Sequence, residues 1–583
     1  MVNSQLQAPP LSLDKELIGA LRTDLKNSRY NTSAIADTLG TAAEALQRSQ
    51  RVPSERALTL RRKSQKREAI DVLIELFTLG NNVRVAEIDN ALPTLKSAGA
   101  EALGLITRDT DEARALVDLV PFHWIDTRGE IDWIIASDQG ELSRRGPLPD
   151  NFVLGVGGAT RTLAGLMISS PADSLLDLGT GCGVLAMIAS RYVKRVVATD
   201  ISPRALRFAA FNVELNLLSE RVIDLKPETI GVSRPAEADL ASGVHTSVEI
   251  DPSGSENRSH GESIEFRLGS LFQPVAGERF ERIVSNPPFV ITPRNTHVPA
   301  YEYRDGGMVG DALIRSVVEK IDLFLTPHGV AQLLGNWEYR ADEPLLAPVR
   351  EWLAPTERVG WVIERERQTC DHYAETWIRD GGHLPRSPDF DRLYRAWLED
   401  FDERRVIGVG FGYLIIGEQQ VDPWLRLEAL RGQLGDNPLG LGVAVEEALD
   451  AVSAVAALSK SEFEALTLVT SPDVTEHRHY IPGEEHPAVI QLVQGGRFGR
   501  TLSVDTALAA CVGACDGELR IGPIVAALAQ LLEVDAEVLG GELHPRLREL
   551  IIDGFLVINN GDEDNLVDTG SEGLAYSPRL EGI

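Results

Sequence analysis

The sequence predicts an α/β protein whose centre is a Rossmann-like sheet of seven strands, and three stretches carry that prediction. Residues 174–183 read SLLDLGTGCG, residues 195–200 read RVVATD, and residues 282–289 read RIVSNPPF. In the first, Leu175, Leu176 and Leu178 form the continuous apolar run of a parallel strand covered on both faces. Gly179, Gly181 and Gly183 then permit a tight turn and let backbone N–H groups approach a ligand. Residues 184–192 continue as a helix with Leu185, Ile188 and Ala189 on one side. Strand, glycine turn and helix in that order open a doubly wound, nucleotide-binding sheet.

The second stretch is the next strand. It ends on Asp200, about 20 residues after the glycines, where an acid can accept hydrogen bonds from ribose hydroxyls. That pair of features suits a dinucleotide as well as another nucleoside cofactor, and a ligand-free strand–helix turn is the plain alternative. The third stretch narrows the choice. Two prolines fix the backbone after residues 282–284 and remove two N–H donors, so carbonyls there can face a site. Asn286 adds a side-chain acceptor and Phe289 a flat apolar face. Two acceptors and a stacking ring suit a planar –NH2 group.

Together these stretches resemble class I S-adenosylmethionine-dependent methyltransferases, and within them the branch with an Asn-Pro-Pro-aromatic motif. That branch holds protein-glutamine N5-methyltransferases acting on release factors and methyltransferases of adenine or guanine amino groups in nucleic acids. The resemblance covers roughly residues 151–417, under half of the 583. It implies S-adenosyl-L-methionine as cofactor, with Asp177, Gly179, Gly181, Gly183, Asp200, Ser270 and Asn286 around it. Asn286, Pro287 and Phe289 are the implied catalytic set. Related enzymes carry an Asp that reads the adenine amino group where this chain has Ser270, a departure that weakens the adenine contact. No metal is implied. The substrate is a macromolecule, either a translation-related protein or rRNA, tRNA or DNA. Two readings compete with the enzyme: a non-catalytic scaffold on the same fold, and an NAD-dependent dehydrogenase, which leaves SNPPF unexplained.

The remaining strands follow in order. Residues 264–268 (IEFRL) make the third, residues 282–284 the fourth, residues 329–335 the fifth, and residues 359–364 and 405–416 the last two. Ser202-Pro203 starts a helix through residue 218, with Asn212 and Asn216 at i, i+4. Residues 221–261, rich in Ser, Gly, Glu and Asp, read as a mobile insertion. Leu271 or Phe272 is a candidate to pack on the base. In residues 301–311 (YEYRDGGMVGD), Tyr303, Arg304 and Asp305 are candidates to bind substrate. Before the first strand, Gly155, Gly157 and Gly158 permit close approach to the cofactor, with Thr160 as a helix cap; a simple loop-to-helix entry explains them equally well.

Flanking domains complete the expectation. Residues 1–112 read as a helical domain, with a winged helix as one reading and a long helix over residues 61–79. Residues 113–150 hold a small β element and a linker, and the hairpin core accounts for His123 and Trp124. The methyltransferase-like domain takes residues 151–426. Residues 427–583 form an acidic, α+β, winged-helix-like domain.

Composition bounds the function. Net charge is −30, from 57 Lys and Arg against 87 Asp and Glu, which disfavours loose binding to phosphate backbones. The charge is uneven: residues 48–67 hold eight Lys and Arg against one acid, and residues 431–583 nine against twenty-five. The basic stretch suits nucleic acid or an acidic protein, and equally a solvated helix face. Four cysteines, no apolar run long enough to span a membrane and no signal-peptide core lead to an expected cytoplasmic location. Cys182 reads as a small residue of the glycine turn, and Cys511 and Cys515 as core.

Overall fold

The structure, a computed structural model, describes residues 10–216 and 263–559 except 49, 65, 141, 145–147, 150, 295–297, 299–300, 302, 384, 386 and 421–422. The expected insertion at 221–261 lies outside the described residues. The chain divides into two compact units, Met1–Gly432 with Pro438–Val443, and Gln433–Asn437 with Ala444–Ile583.

The first unit is organised around eight strands: β1 (Ala172–Leu178), β2 (Val193–Asp200), β3 (Ser263–Leu268), β4 (Phe280–Ser285), β5 (Leu325–Arg340), β6 (Arg358–Gln368), β7 (Val406–Gln419) and β8 (Leu425–Ala429). Their order is β8-β6-β7-β5-β4-β1-β2-β3. Strands β3, β2, β1, β4 and β5 are parallel. Strand β7 runs antiparallel between β5 and β6, and β8 lies parallel to β6 at the edge. The fold is the expected α/β sheet with one strand more than seven. β8 pairs Leu425–Ala429 with Gly360–Glu364, and Trp361 Nε1 donates to Glu428 Oε1 at 2.6 Å, so the sheet continues past residue 427. Strand order reverses between β1 and β4, and ligands of doubly wound sheets bind at the carboxyl ends of strands beside such a reversal.

Seven helices bear on this sheet: α1 (Gly158–Leu166), α2 (Val184–Ala189), α3 (Pro203–Leu215), α4 (Ala312–Ile321), α5 (Ala347–Leu353), α6 (Cys370–Asp380) and α7 (Pro388–Glu403). α3 starts as its sequence dictates, with proline in the first turn and the Ser202 hydroxyl accepting from Ala205 N. One core packs Ile314, Val317 and Trp352 from α4 and α5 against Leu176, Ile283, Leu333 and Trp337 of the sheet. A second packs Tyr373, Ile378, Trp397 and Phe401 from α6 and α7 against Val290, Ile291 and Val409. Each fully buried large side chain stabilises by roughly 1.5–3 kcal/mol.

Residues 15–115 form helices around a three-stranded antiparallel sheet ordered Val83–Arg84, Glu112–Ala115, Ile106–Asp109. The expected long helix over 61–79 is interrupted. One helix ends at Ser64; the next begins at Ala69, where Glu68 and Asp71 make a capping box. Arg61 reaches both acids, Glu68 at 2.7 Å and Asp71 at 2.8 Å, so the chain turns where the periodicity runs on. The same acids and their neighbours consume much of the basic stretch: Arg51 pairs with Glu55, Arg62 and Arg67 with Glu75, and Arg67 also with Glu87.

The β element is a hairpin of Val117–Asp126 and Gly129–Asp138. Its outer edge is held by α3. Asn212 accepts from Ala136 N at 2.7 Å and donates to Ala136 O at 3.0 Å, while Asn216 does the same at Ile134, with 2.9 Å each way. Two amides spaced by one helical turn thus imitate a neighbouring strand. Arg191 clamps Asp126 bidentately at 2.7 and 2.9 Å.

The second unit has two three-stranded antiparallel sheets. One is ordered Asp516–Arg520, Thr467–Thr470, Leu556–Ile558; the other Val474–His479, Val489–Gln494, Thr501–Val504. Helices Thr506–Gly513, Ile521–Leu532 and Ala536–Ile552 accompany them. Cys511 and Cys515 are buried in this unit.

Candidate active site

The glycine turn leaves β1 with positive φ at each expected glycine: 79° at Gly179, 56° at Gly181 and 88° at Gly183. These positions are not equivalent. A Cβ at Gly183 would lie 2.7 Å from the Ala209 Cβ of α3, whereas at Gly179 or Gly181 it would meet nothing within 4 Å. Gly183 therefore serves helix packing, and the other two leave an open cradle of backbone. The cradle is tied to β2: Gly179 N and Thr180 N both donate to Thr199 O at 2.9 Å.

Asp177 and Asp200 hold this turn from below and from the side. Asp177 is fully buried; its Oδ2 accepts from the Thr180 hydroxyl at 2.6 Å and Ala186 N at 3.1 Å. Its Oδ1 is buried and meets no donor among the described residues. Burial pushes its pKa up to about 7, against the pull of those two hydrogen bonds. Asp200 accepts from Gly181 N at 2.9 Å and Ser202 N at 2.8 Å. Burial raises the Cys182 thiol to about 12, which keeps it an inert packing residue.

Ser270 follows β3 beside this acid. Gly269 N donates to Asp200 O at 3.0 Å, and Ser270 O accepts from Gln273 N. Phe272 is not available to a base: it is buried and stacked on Phe324 with centroids 4.3 Å apart. Sequence reasoning passed over Ile201 and Leu268. Ile201, directly after Asp200, is 65% exposed, and Leu268, the partner of Asp200 across the β2–β3 pairing, 41%. An apolar residue directly after the acid was the available signal.

The corner after β4 sits across the strand reversal. The Ser285 hydroxyl donates to Leu178 O at 2.7 Å, tying the carboxyl ends of β4 and β1 together. Asn286 follows at once. Its Nδ2 makes a long hydrogen bond to Thr160 Oγ1, 3.4 Å, and its Oδ1 is buried with no donor among the described residues. Thr160 is thus not the cap of α1: the cap position is Gly157, without a side-chain bond, and the hydroxyl is directed to the corner instead. Pro287 is buried. Phe289 lies between Phe411, at 5.2 Å, and Trp377, at 6.4 Å. Two residues on, Ile291 N donates to the Tyr373 hydroxyl, which also takes Asn336 Nδ2 at 2.7 Å. This link to α6 and β5 fixes the corner and was not foreseen.

The loop after the corner behaves differently from its expectation. Arg304 is 6% exposed, bonded to Trp377 O at 2.8 Å and to Asp380 at 2.5 Å. Tyr303 donates to Asp380 at 2.7 Å, and Asp305 is paired with Arg294 and accepts from Gly307 N. Tyr303 and Arg304 thus tie the loop to α6, and Asp305 holds it to Arg294. Among the described residues no group of three His, Cys, Asp or Glu is placed to hold a metal ion, and no helix is long and apolar enough to cross a membrane.

Known proteins match in two places. A family described as "Ribosomal protein L11 methyltransferase (PrmA)" matches residues 163–240, and a domain of unknown function (DUF7059) matches residues 27–116. A ribosomal protein L11 methyltransferase of Pelobacter propionicus is 40% identical over 94 residues, covering 13% of this chain and 30% of the relative. A ribosomal protein uL3 glutamine methyltransferase of Bradyrhizobium diazoefficiens is 28% identical over 177 residues, 28% of this chain and 42% of the relative. The chain thus spans less than half the length of these curated relatives. A solved ribosomal protein L11 methylase from Lactobacillus delbrueckii subsp. bulgaricus aligns over 46% of this chain and 82% of that one, at 17% identity and a TM-score of 0.22. The fold assignment rests on strand order and register.

Proposed function

We propose that this chain is an S-adenosylmethionine-dependent N-methyltransferase acting on an amide or amino nitrogen of a translation-related macromolecule in the cytoplasm. The buried Asn286 Oδ1 carries the reading. An acceptor held out of water without a donor costs about 1–3 kcal/mol, and such a cost is sustained where a ligand supplies the donor. An –NH2 group does so.

The residues fit the cofactor. The open backbone at Gly179 and Gly181 admits the amino-acid portion, and Asp200 takes the ribose hydroxyls. Ile201 and Leu268 offer apolar surface to the adenine, and the Ser270 hydroxyl is a weaker partner for its amino group than a carboxylate. Asp177 fixes the turn through Thr180 and Ala186, and its Oδ1 favours a cationic amino group nearby. S-adenosylmethionine, when bound, supplies an already activated methyl group. Asn286 and the Pro287 carbonyl orient the acceptor nitrogen, and Phe289 packs on its plane. Positioning and desolvation then supply the rate.

A protein amide is the favoured acceptor. The relatives named above act on ribosomal proteins, the net charge is −30, and the basic stretch at 48–67 spends most of its arginines on internal acids. Tritium transfer from labelled cofactor into purified ribosomal proteins, release factors, rRNA and tRNA tests the assignment. Label confined to nuclease-sensitive material moves the acceptor to a nucleic acid base. No calorimetric binding of S-adenosylmethionine would leave the chain a scaffold.

A further inference from the structure

In the second unit, the helix Ile521–Leu532 reads IGPIVAALAQLL and contains no charged residue. Half of it faces the interior through Ile521, Ile524, Val525 and Ala529. The other half, Pro523, Ala526, Ala527, Gln530 and Leu531, is exposed. The exposed face of a surface helix ordinarily carries charge. The apolar surface also continues round the corner into the helix Ala536–Ile552: Leu531 is 78% exposed, Val534 47% and Val538 60%. Exposed acids lie along it, Glu533, Asp535, Glu537 and Glu542; of these Asp535 caps the helix Ala536–Ile552 and Glu537 pairs with Lys460 at 2.5 Å. Residues 444–559 hold eighteen Asp and Glu against seven Lys and Arg.

We propose that this face docks a cationic amphipathic helix of a partner protein. Exposed apolar surface rimmed by polar groups marks interaction sites. Ala526 and Ala527 let a second helix approach at the short end of the 8–10 Å range of helix packing. Leu531, Val534 and Val538 supply the apolar anchor, and the framing carboxylates complement Lys and Arg on the rim of the occupant. The same carboxylates oppose the other occupants: a second copy would set acid against acid, and a phosphate backbone would be repelled. The surface is independent of the methyl-transfer reading.

The test uses the full chain and a labelled Leu/Lys peptide with leucines at i, i+3, i+4 and i+7, followed by fluorescence anisotropy. Saturable binding is expected, weakened about tenfold or more by the pair Leu531→Ser and Val538→Ser. Ala527→Lys, which sets a charge of the occupant's own sign on the face while keeping a good helix former, is expected to act likewise, with unchanged urea midpoints in both variants. A scrambled peptide of the same composition should bind far more weakly. Equal binding of the scrambled peptide, or variants that bind as the parent does, overturns the proposal. So does concentration-dependent self-association abolished by the same substitutions, since the occupant is then a second copy.

Discussion

Replacing Asn286 by alanine separates a catalytic asparagine from a structural one, because the two roles predict opposite changes in stability. Among the described residues its buried Oδ1 meets no donor, and its Nδ2 makes one hydrogen bond of 3.4 Å to Thr160. Removing the orphan acceptor recovers about 1–3 kcal/mol. The bond to Thr160, long by the usual geometry, gives back at most about 0.5 kcal/mol, and lost packing of a half-buried side chain about 1 kcal/mol. The ligand-free variant is therefore expected to be as stable as the parent, or more stable by about 1 kcal/mol. Methyl transfer should fall about 10²–10³-fold, equivalent to roughly 2.7–4 kcal/mol, as for loss of one preorganised polar contact in the transition state. Urea unfolding of the ligand-free proteins gives the first quantity, and initial rates with labelled cofactor the second. A variant destabilised by more than about 1 kcal/mol that keeps turnover would falsify the reasoning and make Asn286 a tie between the corner and α1.

Other outcomes follow from the same geometry. Asn212→Ala strips partners from Ala136 N, Ala136 O and Cys182 O, all buried, and should cost about 3–5 kcal/mol by urea unfolding. Gly183→Ala sets a methyl 2.7 Å from Ala209 Cβ at a φ of 88° and should destabilise the fold outright. Gly181→Ala meets no atom, so it should lose only about 1 kcal/mol while weakening cofactor binding measured by calorimetry. Asp177, pushed by burial from the ordinary 3.8 up to about 7, holds an extra proton in the folded state between those values. Stability should therefore fall as pH rises from about 4 to about 7. Urea midpoints across that range should slope less in Asp177→Asn.

Much of the sheet was legible because its signals are local. Apolar runs ending in glycine, an acid at a strand end and a proline pair each report the backbone of a few neighbouring residues. The helix over 61–79 failed for a complementary reason: its periodicity was real, but Glu68 and Asp71 cap a new helix while pairing with Arg61, and pairing across a turn leaves no periodic trace. The same blindness hid that Arg61 and Arg67 of the basic stretch, and Arg304, spend their charge on acids of the fold, while Arg48, Arg56, Lys63 and Lys66 stay exposed as on a solvated helix face.

The amino-acid sequence by itself determined the α/β class, seven of the eight strands, and the positions of Asp177, Asp200 and Asn286 at strand ends and turns, since strand and turn chemistry is written in adjacent residues. The tertiary structure alone decided which glycine packs and which opens, that Thr160 turns to Asn286, that two asparagines grip a hairpin edge, and that Phe272 is core. Those facts depend on atoms brought together from distant parts of the chain, and no local pattern encodes such meetings.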